Sequence, residues 1–444
     1  MTPLDPLDGI PAIRFEERRS SVLRALGRGV MVLPAAPLLY RSRDTEVAYR
    51  ADSELFWVTG ATEPGTVAVL MGGDEPRFLL FVRECDSEAE LWSGPRLGPD
   101  AAAERFGVSE TYPLSELDFR LPGLLRGGDR IHFRLGRHPA LDRMVVDALG
   151  EARLRGARRG TGPRAVVDPG EILDDLRLMK DAWELERLRA AAALSVEAHR
   201  AGIAAIRPGA GEWQVQAAVE AVLRCGSGAG PGYQTIVGSG PNACVLHYVA
   251  NSRIIQEGDA VLLDAGAEVG LYQGDITRTY PAGTTFSDRQ RSLYDVVEAA
   301  RAAGVAAVGP GATVDDVHRA AVHVIVEGLG ELGILDATAG DPVEQEAYRS
   351  LFPHQTSHWL GLDVHDVGDY ARGGASRPLE PGMVLTVEPG LYVPSGQEGP
   401  AAQWAGIGVR IEDDVLVTSE GHEVLTAGLP TRAGDIEALA RELR

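Results

Sequence analysis

Apolar and polar residues alternate in two different ways along the chain, and the change between them predicts two domains. The first 170 residues mix short apolar runs, such as VMVLP, TVAVLM and RFLLFV, with turn-rich or helical pieces, which is typical of a mixed α/β domain. Residues 160–173 are rich in glycine and proline without a strong period, which predicts a linker. We therefore predict an α+β protein with domains at residues 1–173 and 174–444.

The second domain contains a pattern that repeats itself. It opens with a long Ala/Leu-rich helical pattern, and Asp181 with Glu184 three residues later predicts a capping box at its start. Residues 201–212, AGIAAIRPGAGE, recur in form as AGVAAVGPGATV at 303–314, an offset of 102. This recurrence predicts an internal duplication, in which each half supplies a pair of helices followed by strands.

Carboxylates stand out in the strands that follow the first helix pair. The stretch AVLLDAGAEVGLYQGDITRTYP, residues 260–281, predicts a hairpin with its turn near Val269 and Gly270. Such a hairpin places Asp264 directly opposite Asp275. Two opposed carboxylates on a half-buried strand are destabilising unless something supplies positive charge, and a divalent cation is the natural candidate.

The strands after the second helix pair repeat this arrangement. MVLTVEPGLYV places Glu388 at the end of an apolar strand. The alternation in GIGVRIEDDVLV, residues 406–417, predicts one strand with Arg410, Glu412 and Asp414 on the same face. Two carboxylates from each half would then meet in a cluster of four, while Asp414 and its neighbour Asp413 are expected to be structural.

The segment HQTSHWLGLDVHDVG, residues 354–368, offers histidines that could complete this cluster. His354 and His358 are four apart, as on a zinc-protease helix, but that motif needs a glutamate directly after the first histidine and this chain has a glutamine. In an extended chain, His358 and His365 would point to opposite faces. Both can reach one cleft only if the chain bends, and Gly361 is the place where it can.

The donor types constrain the metal. Four carboxylates and one imidazole form a hard, oxygen-rich site, which suits Mn²⁺, Co²⁺, Fe²⁺ or Zn²⁺ in a catalytic centre. Their nominal charge exceeds what one divalent ion neutralises, so a pair of ions is expected. The three cysteines are widely spaced, which excludes a disulfide framework and a thiolate zinc site; each is expected to be buried.

Charge and hydropathy restrict the partners and the location. The chain carries 43 Lys and Arg against 64 Asp and Glu, a formal net charge of −21. Such an acidic surface repels phosphates and anionic lipids, so we expect no nucleic-acid partner and no membrane partner. The N-terminus lacks a signal-peptide pattern and no long apolar run follows, which together predict a cytoplasmic protein.

Together, the motifs DAG…GDITRTYP, HWLGLDVHDVG, TVEPGLYV and GVRIEDD resemble the pita-bread metallopeptidases, specifically the Xaa-Pro aminopeptidases (aminopeptidase P) and the related Xaa-Pro dipeptidases. The likeness extends upstream through TIVGSGPNACVLHY, and in the first domain through ELWSGPRLGPDAA. It implies a C-terminal pita-bread fold, with duplicated helix-pair and strand halves around a curved antiparallel sheet. It also implies an N-terminal mixed α/β domain.

The resemblance implies roles for particular residues. Glu388 would act as general base and acid, taking a proton from the attacking water and giving it to the leaving proline nitrogen. His247 and His365 would position the substrate and stabilise the oxyanion. Trp92 would cap the cleft of a neighbouring subunit, which implies a homo-oligomer, a dimer or a tetramer. The residues lining the proline side of the cleft would be His354, Tyr392 and Arg410. The ligands of two divalent ions, Mn²⁺ first and Co²⁺ or Zn²⁺ as alternatives, would be Asp264, Asp275, His358, Glu388 and Glu412.

The expected function is hydrolysis of the bond between an N-terminal residue and a following proline, so the partners would be peptides with proline in second position. A dipeptidase confined to Xaa-Pro stays open, because one loop can close the cleft beyond the proline. A non-catalytic binding protein that keeps the shell is the remote alternative. One departure from the family is Gln355, where members often carry glycine; it adds bulk near the cleft floor.

Overall fold

The computed structural model describes residues 12–108, 110–156, 160–335, 343 and 345–444. It divides into two compact units, one ending at Arg177 and the other beginning at Leu178, four residues after the predicted boundary. The prediction of a linker at 160–173 is wrong in one respect. Val166–Val167 forms an edge strand of the first unit's sheet, and a helix begins at Gly170, because two β-branched valines suit a sheet edge.

The first unit is built on a six-stranded mixed sheet with the order β6-β5-β4-β1-β7-β8. Buried residues of β1, β4, β5 and β7 pack with those of α5 and α6 in one apolar core. Its helices are α1 Ala12–Leu26, α2 Ser53–Thr59, α3 Ser87–Ser93, α4 Gly98–Phe106, α5 Leu117–Leu125, α6 Pro139–Glu151 and α7 Gly170–Leu178. Its strands are β1 Val30–Pro34, β2 Tyr40–Ser42, β3 Thr45–Glu46, β4 Val67–Met71, β5 Arg77–Val82, β6 Glu110–Pro113, β7 Ile131–His132 and β8 Val166–Val167.

The second unit combines two helix pairs, short antiparallel ladders and a C-terminal helix. Its helices are α8 Ala182–Ala205, α9 Glu212–Ser227, α10 Asp288–Ala307, α11 Val314–Glu331 and α12 Ala433–Leu443. Its strands are β9 Ile236–Ser239, β10 Ala260–Asp264, β11 Glu268–Val269, β12 Tyr272–Gln273, β13 Thr277–Pro281, β14 Ala371–Arg372, β15 Ala375–Ser376, β16 Val384–Val387, β17 Gly390–Val393, β18 Ile407–Arg410, β19 Asp413–Thr418 and β20 Gly421–Val424.

The helices follow the predicted duplication. The first helices of the two pairs end at Ala205 and Ala307, and the second helices begin at Glu212 and Val314, so both boundaries are offset by 102 residues. The predicted capping box is confirmed: the Asp181 side chain accepts from the amide of the third helical residue, whose side chain bonds back. The helix pairs and the predicted carboxylate strands are therefore present in both halves.

The predicted register of the first hairpin is wrong. Asp264 pairs with Thr277 and not with Asp275, because the turn lies at Gly270 and Leu271, one residue later than predicted. Both turn residues have positive φ, 57° and 72°, as a tight two-residue hairpin turn requires. A leucine in this left-handed conformation is rare, which is why the sequence did not predict it.

The prediction of a single strand over residues 406–417 is also wrong. It is two strands, β18 paired with β17 and β19 paired with β16, interrupted at Ile411 and Glu412. The amide of Glu412 instead donates to the carbonyl of Thr277, 3.0 Å away, in the first half of the unit. The alternation in sequence persists across this change of partner, so the pattern alone could not reveal it.

Two further expectations concern cysteines and membranes. Cys85 and Cys225 are exposed and Cys244 is partly buried, so the expected burial is wrong; Cys225 lies off the apolar stripe of α9, which consists of Val215, Val219 and Leu223. Among the described residues, no helix is long and apolar enough to cross a membrane. The cytoplasmic location stays a prediction.

Candidate metal centre

The two aspartates of the first half meet despite the shifted register. The Tyr233 hydroxyl lies 2.7 Å from Asp264 Oδ1 and 2.5 Å from Asp275 Oδ1, and it can donate to either oxygen. The other oxygen of Asp264 accepts a hydrogen bond from Arg410 Nη2 at 2.5 Å. Burial raises the pKa of Asp264, although the charge of Arg410 opposes this. Both carboxylates are buried, so they need nearby positive charge.

The second half brings a histidine and two glutamates to the same place. His358 Nε2 lies 3.5 Å from Asp275 Oδ2, 3.7 Å from Glu388 Oε1 and 3.9 Å from Glu412 Oε1. The other oxygen of Glu412 accepts from the hydroxyl of Thr277 at 2.6 Å. Carboxylates from both halves therefore face one imidazole nitrogen.

The electrostatics of this cluster show a shortage of positive charge. Burial raises the pKa of Glu412 well above its ordinary value, and the charges of Asp275 and Glu388 raise it further. Burial also raises the pKa of Glu388 to about 7, against the opposing charges of His358 and Arg410. The protein's own cations leave the carboxylates under-compensated, and a bound cation would relieve this penalty.

His358 is oriented as a metal ligand would be. Its Nδ1 lies 3.0 Å from the Trp359 carbonyl, which accepts a hydrogen bond from Nδ1–H, so that in the neutral imidazole the Nε2 lone pair is directed at the carboxylates. Burial alone would lower the pKa of His358, but the hydrogen bond to Asp275 and the charge of Glu388 raise it to about 9. One ligand atom each from Asp275, His358 and Glu412 can be chosen so that all lie within 4.8 Å of one another. Together with the oxygen-rich donor set, this geometry fits a divalent ion.

The loop carrying His358 and His365 bends as predicted. Their rings lie edge to face with centroids 4.5 Å apart. A Cβ at Gly361 would lie 2.0 Å from Asp366 Oδ2, so only glycine permits this bend. Below it, Asp366 forms an ion pair with Lys180 at 3.1 Å, and both side chains are almost fully buried. The pair fastens the loop to the start of the unit.

His354 belongs to a hydrogen-bonded chain that joins the carboxylate cluster through Arg410. Its Nε2 lies 2.8 Å from the hydroxyl of Tyr392, which in turn accepts from Arg410 Nη1 at 3.1 Å. Its Nδ1 lies 2.8 Å from the carbonyl of Gln355. Burial, aided by the charge of Arg410, lowers the pKa of His354 to about 4. Both ring nitrogens are therefore engaged within the protein.

These groups surround a cavity of about 450 Å³. Its lining contains every residue predicted for the metal site and, from the other predicted roles, His247, His354, His365 and Arg410. Tyr392 reaches the cavity through its bond to His354. The remaining predicted residue, Trp92, lies in the other unit on α3 and is 86% exposed.

Sequence reasoning missed two hydroxyl groups and placed two aspartates correctly. Tyr233 and Thr277 bond the predicted ligands. Thr277 lies in the quoted motif GDITRTYP as the first residue of β13, and Tyr233 precedes β9 outside the quoted motifs. Asp413 forms a buried ion pair with Arg278 at 2.7 Å, and Asp414 accepts from the backbone amide of Asp275. Asp413 and Asp414 therefore serve the framework, as expected.

The fold and this site define a class of protein, the metal-dependent hydrolases with a carboxylate and histidine centre. Residues 186–419 match the family described as "Metallopeptidase family M24", and residues 15–132 match "Aminopeptidase P, N-terminal domain". The chain belongs to metallopeptidase family M24 and has the pita-bread fold of aminopeptidase P. It is thus a metallo-exopeptidase that uses divalent metal.

Similarity to particular relatives extends over nearly the whole chain. The Xaa-Pro aminopeptidase of Escherichia coli (strain K12) is 40% identical, over 96% of this chain and 97% of the relative. The Haemophilus influenzae enzyme of the same name is 33% identical, over 97% of each. Among solved structures, Pseudomonas aeruginosa aminopeptidase PepP matches with a TM-score of 0.92 and 42% identity, covering 98% and 99% of the two chains. Zn-substituted E. coli aminopeptidase P in complex with product matches with a TM-score of 0.92 and 39% identity, also covering 98% and 99%.

Proposed function

We propose that this protein is an Xaa-Pro aminopeptidase, which releases an N-terminal residue from peptides with proline in second position. The observation that carries the proposal is the convergence of four carboxylates and His358 Nε2 at one cavity of about 450 Å³. Relatives named Xaa-Pro aminopeptidase that match over 96% or more of the chain support the same assignment.

The metal ligands belong to this proposal. Two divalent ions, Mn²⁺ in the first place and Co²⁺ or Zn²⁺ as alternatives, would be held by Asp264, Asp275, His358, Glu388 and Glu412. When bound there, the ions would polarise the scissile carbonyl and lower the pKa of water. A pair of ions would also balance the charge of four buried carboxylates, which Arg410 alone does not.

The chain's own residues would then guide the proton and the substrate. Glu388 lies at the cavity, within 3.7 Å of His358 Nε2, where it can accept a proton from water and deliver it to the leaving proline nitrogen. His247 and His365 also line the cavity. As donors fixed in place, they would hold the peptide carbonyl and favour the charge that develops on its oxygen.

The proline side of the cleft would be formed by the hydrogen-bonded chain of His354, Tyr392 and Arg410. Because the Tyr392 hydroxyl engages Nε2 of His354 from behind, His354, which lines the cavity, can present its ring face to an apolar pyrrolidine ring. Arg410 joins this wall to Asp264 through a second hydrogen bond. The guanidinium of Arg410 would therefore support the proline-binding wall and also hold the Asp264 carboxylate in place.

Trp92 would act between subunits. It lies beside Leu91 on α3, and the two side chains are 86% and 82% exposed. α3 has no buried residue, which is unusual for a helix that only supports its own unit. We propose a homo-oligomer, dimer or tetramer, in which Trp92 covers the cleft of a neighbour. Trp92→Ala would then lower kcat/KM without changing the metal content.

Metal-dependent peptidase assays test the function. Enzyme treated with a chelator is assayed on Xaa-Pro-Yaa tripeptides, with and without Mn²⁺, Co²⁺ or Zn²⁺, beside Xaa-Pro dipeptides and an Xaa-Ala-Yaa control. We expect metal-dependent release of the first residue alone, confined to the proline tripeptides. Activity confined to the dipeptides would assign a dipeptidase, and no cleavage with any metal would overturn the proposal.

A further inference from the structure

One wall of the cavity is a long loop without regular structure. Residues 245–259 connect a short 3₁₀ turn, Gly240–Cys244, to β10, and an isolated bridge between Ile254 and Gly211 is their one piece of strand pairing. Loops of this length inside a compact unit are uncommon and are usually functional. His247 projects from this loop into the cavity lining. The rigidity of the loop therefore decides how well His247 is placed.

A buried carboxylate holds this loop. Glu212, the first residue of α9, is fully buried. Its Oε1 accepts from the amide of Ser239 at 2.7 Å, from the hydroxyl of Ser239 at 2.7 Å and from Asn242 Nδ2 at 3.1 Å. Its Oε2 accepts from the hydroxyl of Tyr248 at 2.9 Å and from the amide of Arg253 at 2.8 Å. Ser239 and Asn242 precede the loop, and Tyr248 and Arg253 lie within it.

The physical chemistry makes this carboxylate a strong tether. A buried charge persists only where hydrogen bonds compensate it, and bonds to an ionised acceptor are roughly twice as strong as neutral ones. The N-terminus of α9 adds a favourable dipole. Because Tyr248 directly follows His247, the bond from its hydroxyl to Glu212 limits the movement of the backbone next to the imidazole.

A second anchor holds the other side of His247. Asn251 has φ of 42°, a left-handed conformation that asparagine tolerates. Its Oδ1 accepts from the amide of Val237 at 2.9 Å, and its Nδ2 donates to the carbonyl of Thr235 at 2.8 Å and to Gln216 Oε1 at 2.9 Å. The loop is thus fastened on the C-terminal side of His247 by side chains that reach the body of the unit.

The internal duplication indicates that the carboxylate is not needed for packing of the helix. The position equivalent to Glu212, 102 residues later, is Val314, also the first residue of its helix and also buried. An apolar residue therefore satisfies this site in the second half. The first half therefore has an acid at this position where its side chain holds the loop of residues 245–259.

We propose that Glu212 is a positioning residue for His247. It acts through its bonds to Tyr248 and to the rest of the loop that carries His247. The inference rests on the proposed function, in which His247 contacts the substrate. Glu212 itself does not line the cavity, so its effect on the reaction must pass through the loop.

A double-mutant cycle tests this coupling. Glu212→Gln keeps the size of the side chain but turns an amide donor towards groups that are themselves donors. We expect it to lower kcat/KM by roughly 10–100-fold in the otherwise native enzyme, and by less than about twofold in a His247→Ala background. Metal content stays unchanged, and Glu186→Gln, on the exposed face of α8, is the control. An equal loss in both backgrounds would overturn the proposal, because the effect would then not pass through His247.

Hydrogen exchange provides a readout that does not depend on activity. Glu212→Gln should speed amide exchange in residues 240–253 and leave residues 354–366 unchanged. No change in the first segment, or equal acceleration in both, counts against the proposal. If the native enzyme cleaves no proline peptide, the proposed function fails while the exchange result still decides the role of Glu212. Should Glu212→Gln not fold, Tyr248→Phe removes one of the five bonds and must give a smaller version of both results.

Discussion

The two halves of the second unit build the same support for a carboxylate by the same contact. Gly202 in α8 and Gly304 in α10 are 102 residues apart. A Cβ on Gly202 would lie 2.7 Å from Leu263, the residue before Asp264. A Cβ on Gly304 would lie 2.8 Å from Val387, the residue before Glu388. In each half, a helix glycine lets the strand that ends in a ligand carboxylate come close.

The halves differ in what connects the helices to these strands. In the first half, the loop held by Glu212 supplies one histidine, His247. In the second half, residues 354–368 supply three, fastened by the buried pair of Lys180 and Asp366. Duplicated helices and strands therefore provide the carboxylates, and the loops, which are not alike, provide the imidazoles. The comparison separates what the duplication preserved from what each half acquired.

The largest expected effect comes from removing one carboxylate from either half. Asp264→Asn and Glu412→Gln should each lower kcat/KM by about 10³-fold or more, since a metal centre supplies several kcal/mol of transition-state stabilisation, and each should reduce bound metal. The control is Asp414→Asn, which removes a buried carboxylate that is not a predicted ligand and keeps a side-chain oxygen to accept from the amide of Asp275. Metal analysis and tripeptide assays measure the outcome. A loss from one half only would break the equivalence of the halves.

The glycine contacts provide the next effect. Gly202→Ala should destabilise the protein by about 1–3 kcal/mol, because its Cβ would meet both Leu263 and Val219 below 3 Å. Gly304→Ala should cost less, because its Cβ would make only one such contact; in both helices alanine regains about 1 kcal/mol of helix propensity, which offsets part of the cost. Urea unfolding measures both. Gly330→Ala, in α11 with no atom within 4 Å of the new Cβ, should be neutral or stabilising; equal losses at all three sites would show that crowding is not the cause.

The two halves also differ at a buried histidine, His199, which should make the stability of the protein depend on pH. His199 in α8 is fully buried, with Nδ1 next to the hydroxyl of Tyr280 and Nε2 next to the carbonyls of Ala265 and Ile276. Burial, aided by the charge of Arg278, lowers its pKa from 6.5 to about 3. The unfolded chain therefore takes up this proton first, and stability falls as pH falls from about 6.5 towards 3.

This loss amounts to roughly 2 kcal/mol at pH 5, from 1.5 pH units at 1.36 kcal/mol each. The equivalent position in the second half, 102 residues later, is Arg301, which pairs with Asp413 at 3.0 Å. Unfolding of metal-free protein at pH 7 and pH 5 measures the slope, and His199→Gln should flatten it. An unchanged slope in that variant would assign the pH dependence to other groups.

The smallest effect is expected at a solvent-exposed ion pair between the two halves. Arg189 of α8 donates to both oxygens of Glu423 in β20, at 2.9 and 2.6 Å, with more than 40% of each side chain exposed. An exposed pair of this kind contributes at most about 1 kcal/mol. Arg189→Ala should therefore change the free energy of unfolding by less than that, and added salt should remove the difference. A larger cost would mean that the halves depend on this surface contact.

The helix pairs and ligand strands could be predicted because capping residues and apolar runs are local signals. The register at Asp264 could not, since it depends on Leu271 taking a left-handed conformation that leucine rarely adopts. The split at Glu412 could not either, because strand alternation does not reveal a change of partner. Glu212 was passed over for a similar reason: an acid at a helix start is ordinary on a surface, and only the fold reveals its burial.

Glu412 has a consequence for the timing of synthesis. Its backbone leaves both neighbouring ladders and bonds to Thr277 of the first half, so its carboxylate takes its place only after the last strands have docked. Asp275 precedes it by 137 residues, which at about 5–20 residues per second takes roughly 7–27 s on the ribosome. Until residue 358 has been added, the nascent chain offers two aspartates and neither His358 nor the glutamates, and Glu412 is the last of the five to be made. The complete donor set, and with it any preference between ions, exists only once the second half has emerged and folded.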